Sequence, residues 1–294
     1  EVENDIFVIN NLNSLKPGRN VLAVELHQRD ETSSDIYFDL EVLETSSETS
    51  LSQTLDLSGL ILEQGAEHDE VIVNWLTENK GTYELIWAPG TDKSALRTPA
   101  GRKLMGGRKT GVGGTFSYHG KLSSLPEGQS YVYQIVDLQH NLSSEVLSFK
   151  IQPEQPFTFG FVGDVQIRTE HLEENQAGWE KAVDTLAQLR PDLSFILTAG
   201  DQVNSSDNEK ALKEYGTFRS PAVLKQIPVT VNIGNHEGNT DLLESQFERL
   251  KNGSDYYYDY GDTLFYALNC MDTDTQAHLD KLRQTITRHK PRWV

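Results

Sequence analysis

Apolar and polar residues alternate in short stretches over the first half of the chain and fall into a longer rhythm over the second. Residues 1–44 hold three β-like runs, "DIFVIN", "NVLAVELHQ" and "DIYFDLEVLE". The last two alternate apolar with polar, as a strand with one wet face does. Turn-forming "KPGRN" and "RDETSSD" part them. Three strands make a poor core alone, so this stretch reads as part of a β-sandwich whose other strands lie upstream. The polar stretch 45–56 reads as a linker. From 57 to 152 strands return as "VIVNWLT", "TYELIWAP", "TFSYHGKLSSL", "QSYVYQIVD" and "VLSFKI", the spacing of a second all-β sandwich. Between them "GRKLMGGRKTGVGG" is rich in glycine and basic residues. It lacks the Gly-Lys-Ser/Thr ending and following helix of a phosphate-cradling loop, so a mobile hairpin loop is expected.

At Pro156 the rhythm changes. "FTFGFVGD" is an apolar run, and then Trp179, Ala182, Val183, Leu186 and Leu189 recur at helical spacing until Pro191. "LSFILTAGD", a further helical stretch and "PVTVNIGNHE" follow. Strand, helix, strand, helix, strand, with strands apolar on both faces, predicts a parallel sheet covered by helices.

Composition sets outer limits. The 294 residues allow two or three domains, and the net charge of −18 opposes a nucleic-acid groove or an anionic membrane surface as partner. No apolar run approaches the roughly 20 residues of a membrane span. The single Cys270 provides neither a disulfide framework nor a thiolate cluster and reads as a small buried residue.

The chemistry lies where the three apolar runs of the second half end. Ligands of open parallel sheets bind beyond the carboxyl ends of the strands. All three runs finish there in coordinating or proton-carrying side chains: Asp164 with Gln166, then Asp201, then Asn235 with His236. Neighbouring parallel strands lie about 5 Å apart, so the three tips can converge. Two carboxylates held together repel unless a cation sits between them. A carboxylate such as Asp201 can bridge two ions roughly 3.5–4 Å apart, the spacing of two-metal hydrolases. Asn235 offers a neutral amide oxygen. His236 is placed to face substrate oxygens as donor or general acid, with Glu237 orienting its imidazole.

"GDVQ", "AGDQVN" and "IGNHE" resemble the first three motifs of the calcineurin-like metallophosphoesterase superfamily. "YHGKLSSLPEGQSYVYQI" looks like the fibronectin-III-like N-terminal domain of purple-acid-phosphatase-type enzymes, and "LKPGRNVLAVELHQRDETSSDIYFDLEV" resembles the end of a jelly-roll domain found upstream in some large bacterial secreted phosphoesterases. The resemblance implies a multidomain β plus α/β chain. Its parts would be a jelly-roll remnant over 1–44, a linker over 45–56, a fibronectin-III-like sandwich over 57–152 and a metallophosphoesterase domain over 157–294. It implies two divalent or trivalent ions (Fe, Zn or Mn), with Asp164 on the first, Asp201 bridging, Asn235 on the second and His236 on the phosphate.

Three positions depart from the family pattern. Gln166 stands where the wider superfamily has a histidine ligand, which weakens the first metal or leaves it water-bridged. Asn204 stands where purple acid phosphatases carry the iron-binding tyrosinate, so no purple centre is expected. The family's later histidines have no counterpart: His278 and His289 lie in a helix-like segment and read as surface histidines. The chain opens without an initiator Met and stops at "KPRWV", so it reads as a fragment of a secreted protein cut at both ends and inactive by itself. The expected function of the whole is metal-dependent hydrolysis of a phosphate ester, of the phosphomonoesterase kind. A phosphodiesterase or nucleotidase of the same fold, and a non-catalytic extracellular adhesion protein with a degenerate site, are the alternatives.

Overall fold

A computed structural model of the chain describes residues 54–110, 114–237, 240–250, 255–269 and 271–294. The three strands expected in 1–44 and the burial expected of Cys270 lie outside them. All the described residues fall in one compact unit. Among the described residues the first ten strands are β1 (Thr54–Leu55), β2 (Ile61–Gln64), β3 (Val71–Thr77), β4 (Tyr83–Pro89), β5 (Gly101–Leu104), β6 (Gly106–Lys109), β7 (Phe116–Leu122), β8 (Ser130–Asp137), β9 (Leu142–Ser144) and β10 (Leu147–Lys150). They are followed by β11 (Thr158–Val162), α1 (Leu172–Leu189), β12 (Leu193–Thr198), α2 (Asn208–Phe218), β13 (Val229–Thr230) and α3 (Thr240–Gln246). The hairpin β14 (Tyr256–Tyr260) and β15 (Thr263–Ala267) precedes α4 (Thr275–His289).

Alternation makes the first core. One sheet runs β1-β9-β8-β4-β5, with β10 also on β8, and its inward residues Tyr83, Leu85, Tyr133 and Ile135 meet Leu62, Val73, Trp75 and Tyr118 of a second sheet. Trp75 and Tyr118 each stand edge-on to Tyr83 with ring centroids 4.7 Å and 4.7 Å away. Such aromatic pairs contribute about 0.5–1.5 kcal/mol each beyond the area they bury. The basic glycine-rich stretch is not the loop the sequence suggests, since most of it is strand. β5 pairs with β4 and β6 with β7 on opposite sheets. Gly101 and Gly107 permit this, because a Cβ on either would fall 2.2 or 2.3 Å from the rings of Trp87 and Tyr118.

The second sheet does not end with the sandwich. Its order is β11-β12-β13-β2-β3-β7-β6, and β13 joins β2 through the parallel pair Val229↔Glu63. The sheet is continuous where the sequence suggests a division between 152 and 157. Strand β2 is buried on both faces and serves two cores: Leu62 points into the first, Ile61 into the second. Helices α1 and α2 cover the second core, where Trp179 stacks on Phe218 at 5.4 Å and donates its indole N–H to the Phe218 carbonyl at 2.8 Å. Strands β11, β12 and β13 are adjacent and parallel, in the registers Val162↔Thr198 and Leu197↔Thr230. The expectation of strands apolar and covered on both faces fails at β11, whose Phe159 and Phe161 are 40% and 66% exposed.

The two late histidines are not free surface groups. His278 sets Nδ1 2.7 Å from Asp255 and is only 12% exposed, while His289 sets Nδ1 2.5 Å from Asp259 and is 17% exposed. They fasten α4 to the β14–β15 hairpin. The Asp255 hydrogen bond, helped by the Asp272 carbonyl, raises the His278 pKa against the effect of burial. Burial opposes ionisation of Asp255, but the Asn269 amide, His278 and Lys281 outweigh it and hold its carboxyl low. The folded state therefore keeps the imidazole proton longer than the unfolded chain does. That stabilisation is complete below the unfolded histidine value, about pH 6.5, and is lost as pH rises through the folded one. The Asp255 part is present above its unfolded value, about pH 4, and is lost as pH falls through the lowered one. Urea midpoints from pH 5 to 9 are expected to fall less steeply above neutrality in His278→Gln than in the parent. Parallel profiles would contradict the assignment.

Candidate active site

The three strand tips are laced together. Beyond the ladder, the Ala199 N–H donates to the Val162 carbonyl at 2.9 Å and the Gln166 N–H to the Asp201 carbonyl at 2.7 Å. The Ile167 N–H reaches the Gln202 carbonyl at 3.1 Å, and the Asn204 N–H returns to the Ile167 carbonyl at 2.9 Å. The loops after β11 and β12 thus prolong the parallel pairing past the strand ends. Asp164, Gln166 and Asp201 all sit in the left-handed region, with φ of 44°, 46° and 51°. Each such residue costs on the order of 1–3 kcal/mol, a strain that concentrates at functional sites.

Two glycines bring the third tip against the second. A Cβ on Gly234 would lie 2.1 Å from the Asp201 Oδ1, and one on Gly200 (φ 98°) would lie 2.7 Å from the Gly234 nitrogen. This close approach lets the His236 N–H donate to Asp201 Oδ1 at 2.9 Å. The imidazole Nδ1 lies 2.7 Å from the Asn204 carbonyl oxygen. A carbonyl can only accept, so the proton is on Nδ1 and Nε2 carries the lone pair when the ring is neutral.

Glu237 does something other than orient that ring. It is buried, and its carboxylate accepts the N–H groups of Gly234 (2.7 Å), Asp201 (2.9 Å), Gln202 (2.6 Å) and Val203 (3.4 Å). The expectation that Glu237 directs the imidazole is corrected: the Asn204 carbonyl does so, and Glu237 clamps the backbones of two tips. Burial raises its pKa, and the four amides offset part of that rise. A second buried carboxylate, Glu214 of α2, was not anticipated. It accepts from the Thr169 N–H and hydroxyl and from the N–H groups of Asn204 and Ser205. A signal existed: Ala211, Glu214, Tyr215 and Phe218 share one helical stripe, and an acid on an apolar stripe is informative. Tyr215 beside them keeps its phenol proton, its pKa pushed far up by burial, Glu237 and Glu214.

Hydrogen bonds join Gln166, Asp201 and His236 directly, while the side chains of Asp164 and Asn235 stand exposed at the same edge. Asp201 is 8% exposed and spends one carboxylate oxygen on His236, which leaves the other for a ligand. Gln166 turns its amide oxygen to the Arg168 guanidinium at 3.1 Å. Asp164, Gln166, Asp201 and Asn235 carry two carboxylates and two side-chain amides, and oxygen donors of this kind suit a hard or borderline divalent cation. Among the described residues, His68, Glu127 and Glu154 form a separate group of potential ligands. No helix among the described residues is long and apolar enough to cross a membrane.

Residues 157–291 match the family model of the calcineurin-like phosphoesterases. Among solved structures, a purple acid phosphatase from yellow lupin (Lupinus luteus) seeds aligns with a TM-score of 0.55 at 16% identity, over 76% of this chain and 47% of its own. The chain therefore spans about half the length of that structure. A human protein's third fibronectin III domain aligns at a TM-score of 0.22 and 13% identity, over 39% of this chain and 99% of its own. Astrotactin-2, a vertebrate membrane protein, aligns at 0.25 and 12%, over 42% of this chain and 25% of its own. Comparison with curated proteins gives no match. The segment that carries all three strand tips thus matches the calcineurin-like phosphoesterase model, within a fold similar to that of a purple acid phosphatase.

Proposed function

We propose that the protein hydrolyses phosphate monoesters with the help of two metal ions. Asp164 and Gln166 would hold the first, Asp201 would bridge and Asn235 would hold the second. Iron, zinc or manganese suits such donors, and ions of this kind supply positive charge for the phosphate and acidify water at neutral pH. The residues' own contribution is positional. Gly200 and Gly234 let the tips close, Glu237 fixes their backbones, and the Asp201 carboxylate is held by the His236 N–H. His236, with its proton on Nδ1, presents Nε2 to a phosphate oxygen. In its protonated form it would donate there, stabilising charge or protonating a leaving oxygen.

The observation that carries this reading is the direct hydrogen bond between the tips of β12 and β13, Asp201 to His236, inside the phosphoesterase segment. The test is an assay of the natural full-length protein with p-nitrophenyl phosphate and bis(p-nitrophenyl) phosphate, with added Mn²⁺, Zn²⁺ or iron. Monoester turnover that exceeds diester turnover and disappears on chelation is expected. Preference for the diester would make it a diesterase, and turnover of neither would leave a non-catalytic protein.

A further inference from the structure

We propose that Glu214 is a positioning residue that sets the orientation and tautomer of His236 through one peptide plane. The inference deepens the reading of His236 given above, but the tautomer it concerns is a property of the chain with or without turnover. The Asn204 carbonyl that accepts the His236 Nδ1–H at 2.7 Å belongs to the same peptide group as the Ser205 N–H. Glu214 Oε2 accepts that Ser205 N–H at 2.9 Å and the Asn204 N–H at 2.9 Å. In a planar trans peptide the N–H and C=O point in opposite directions. Gripping the N–H end therefore aims the C=O end. A negative charge on the N–H end also polarises the peptide and makes its carbonyl a stronger acceptor.

The grip is firm for identifiable reasons. Glu214 is fully buried, where an unpaired carboxylate would be very costly. Its other oxygen is occupied by the Thr169 N–H and hydroxyl, both at 2.8 Å, so the side chain has little freedom to turn away. Its backbone lies in α2, a rigid element whose first turn is capped by Asp207 accepting the Lys210 N–H. The carboxylate thereby ties the loop after β11 to the loop after β12 and aims the acceptor of a ring on the loop after β13. A glutamine at 214 would remove the negative charge and set an NH₂ group against one pair of these donors, which loosens the hold on the 204–205 peptide.

The experiment is long-range ¹H–¹⁵N NMR of the His236 imidazole in the full chain, at about pH 8.5, where an ordinary imidazole is neutral. The parent should show the Nδ1–H tautomer, and Glu214→Gln should show a mixture or the Nε2–H form. Thr169→Val removes one donor to Glu214 without touching the 204–205 peptide and should keep the parent tautomer. An Nε2–H parent would overturn the proposal whether or not any variant folds. So would a folded Glu214→Gln with an unchanged Nδ1–H signal. In the phosphatase assay kcat should fall roughly 10- to 100-fold in Glu214→Gln with KM little moved, as for other supports of a site residue. The expected tautomer change in a protein that hydrolyses nothing would sustain the positioning role and remove the catalytic one.

Discussion

Replacing Arg219 by alanine is expected to cost roughly 3–5 kcal/mol of stability, the effect of breaking a buried charge network from one side. Arg219 caps the end of α2 and is completely buried. Its Nε donates to the Gly59 carbonyl at 2.8 Å, Nη1 to the Gln246 carbonyl, and Nη2 to the Asn74 carbonyl and side-chain oxygen at 3.2 Å each. Asn74 in turn donates to Glu63, which also accepts the N–H groups of Glu248 and Arg249 at 3.0 and 3.1 Å. Burial pulls the guanidinium pKa down to about 10 with Glu63 opposing, so the group is still charged at neutral pH. Burial likewise raises the Glu63 carboxyl, with Asn74, the two amides and Arg219 pulling it back.

Alanine would leave several carbonyls without their donor and strand Glu63 without its nearest cation. Domains of this kind have about 5–15 kcal/mol in total, so the loss is a large share. It should fall on the whole described unit, because Gly59, Glu63 and Asn74 lie on the sandwich side and Gln246, Glu248 and Arg249 beyond β13. Urea unfolding followed by tryptophan fluorescence measures it. A drop under about 1 kcal/mol, the size of an exposed ion pair, would contradict the network's importance. Replacing Arg219 and Glu63 together by apolar residues should recover much of the loss, since the unpaired buried charge would go too.

Gly234→Ala should damage the site more than its single methyl suggests. The new Cβ would meet Asp201 Oδ1 at 2.1 Å and the Asp201 backbone nitrogen at 2.5 Å. Backbone cannot swing away as a flexible side chain can, so the β13 tip must retreat from β12. Retreat weakens the His236 N–H bond to Asp201 and the three amides that the β12 tip donates to Glu237. Overpacking of this kind costs about 1–3 kcal/mol. Under the proposed chemistry, displacing such groups by about an ångström lowers turnover on the order of 100-fold. Gly178→Ala is the matched control. It lies within α1, its Cβ meets nothing within 4 Å, and it should stabilise by roughly 0.5–1 kcal/mol. A Gly234→Ala protein with parental stability and turnover would show that the tips need not touch.

The site's polar residues were legible because each follows an apolar run that reads as a parallel strand. Asp164, Gln166, Asp201, Asn235 and His236 are local events at a predictable end of a predictable element. Helix α1 was legible for the same reason, its apolar residues falling at helical spacing before Pro191. What joins those residues was not. Glu237 could be seen beside His236, but its four acceptor contacts reach backbone 34 to 36 residues away as well as its own turn. Glu214 looked like any helical glutamate until its stripe was known to face the loops. His278 and His289 read as exposed because their aspartate partners lie 23 and 30 residues earlier in sequence, on or beside a hairpin.

The periodicities, hence the strands and helices, and the coordinating residues at three strand ends can be read along the chain. Those are decided by neighbours a few residues apart: side-chain alternation, glycine before a tip, proline after a helix. Long-range packing pairs β13 with β2, makes one sheet of what reads as two domains, and sets two buried glutamates and one buried arginine to hold the tips and that junction. Such charges are tolerable in the interior only when every oxygen and N–H finds a partner, and those partners come from chain segments far apart in sequence.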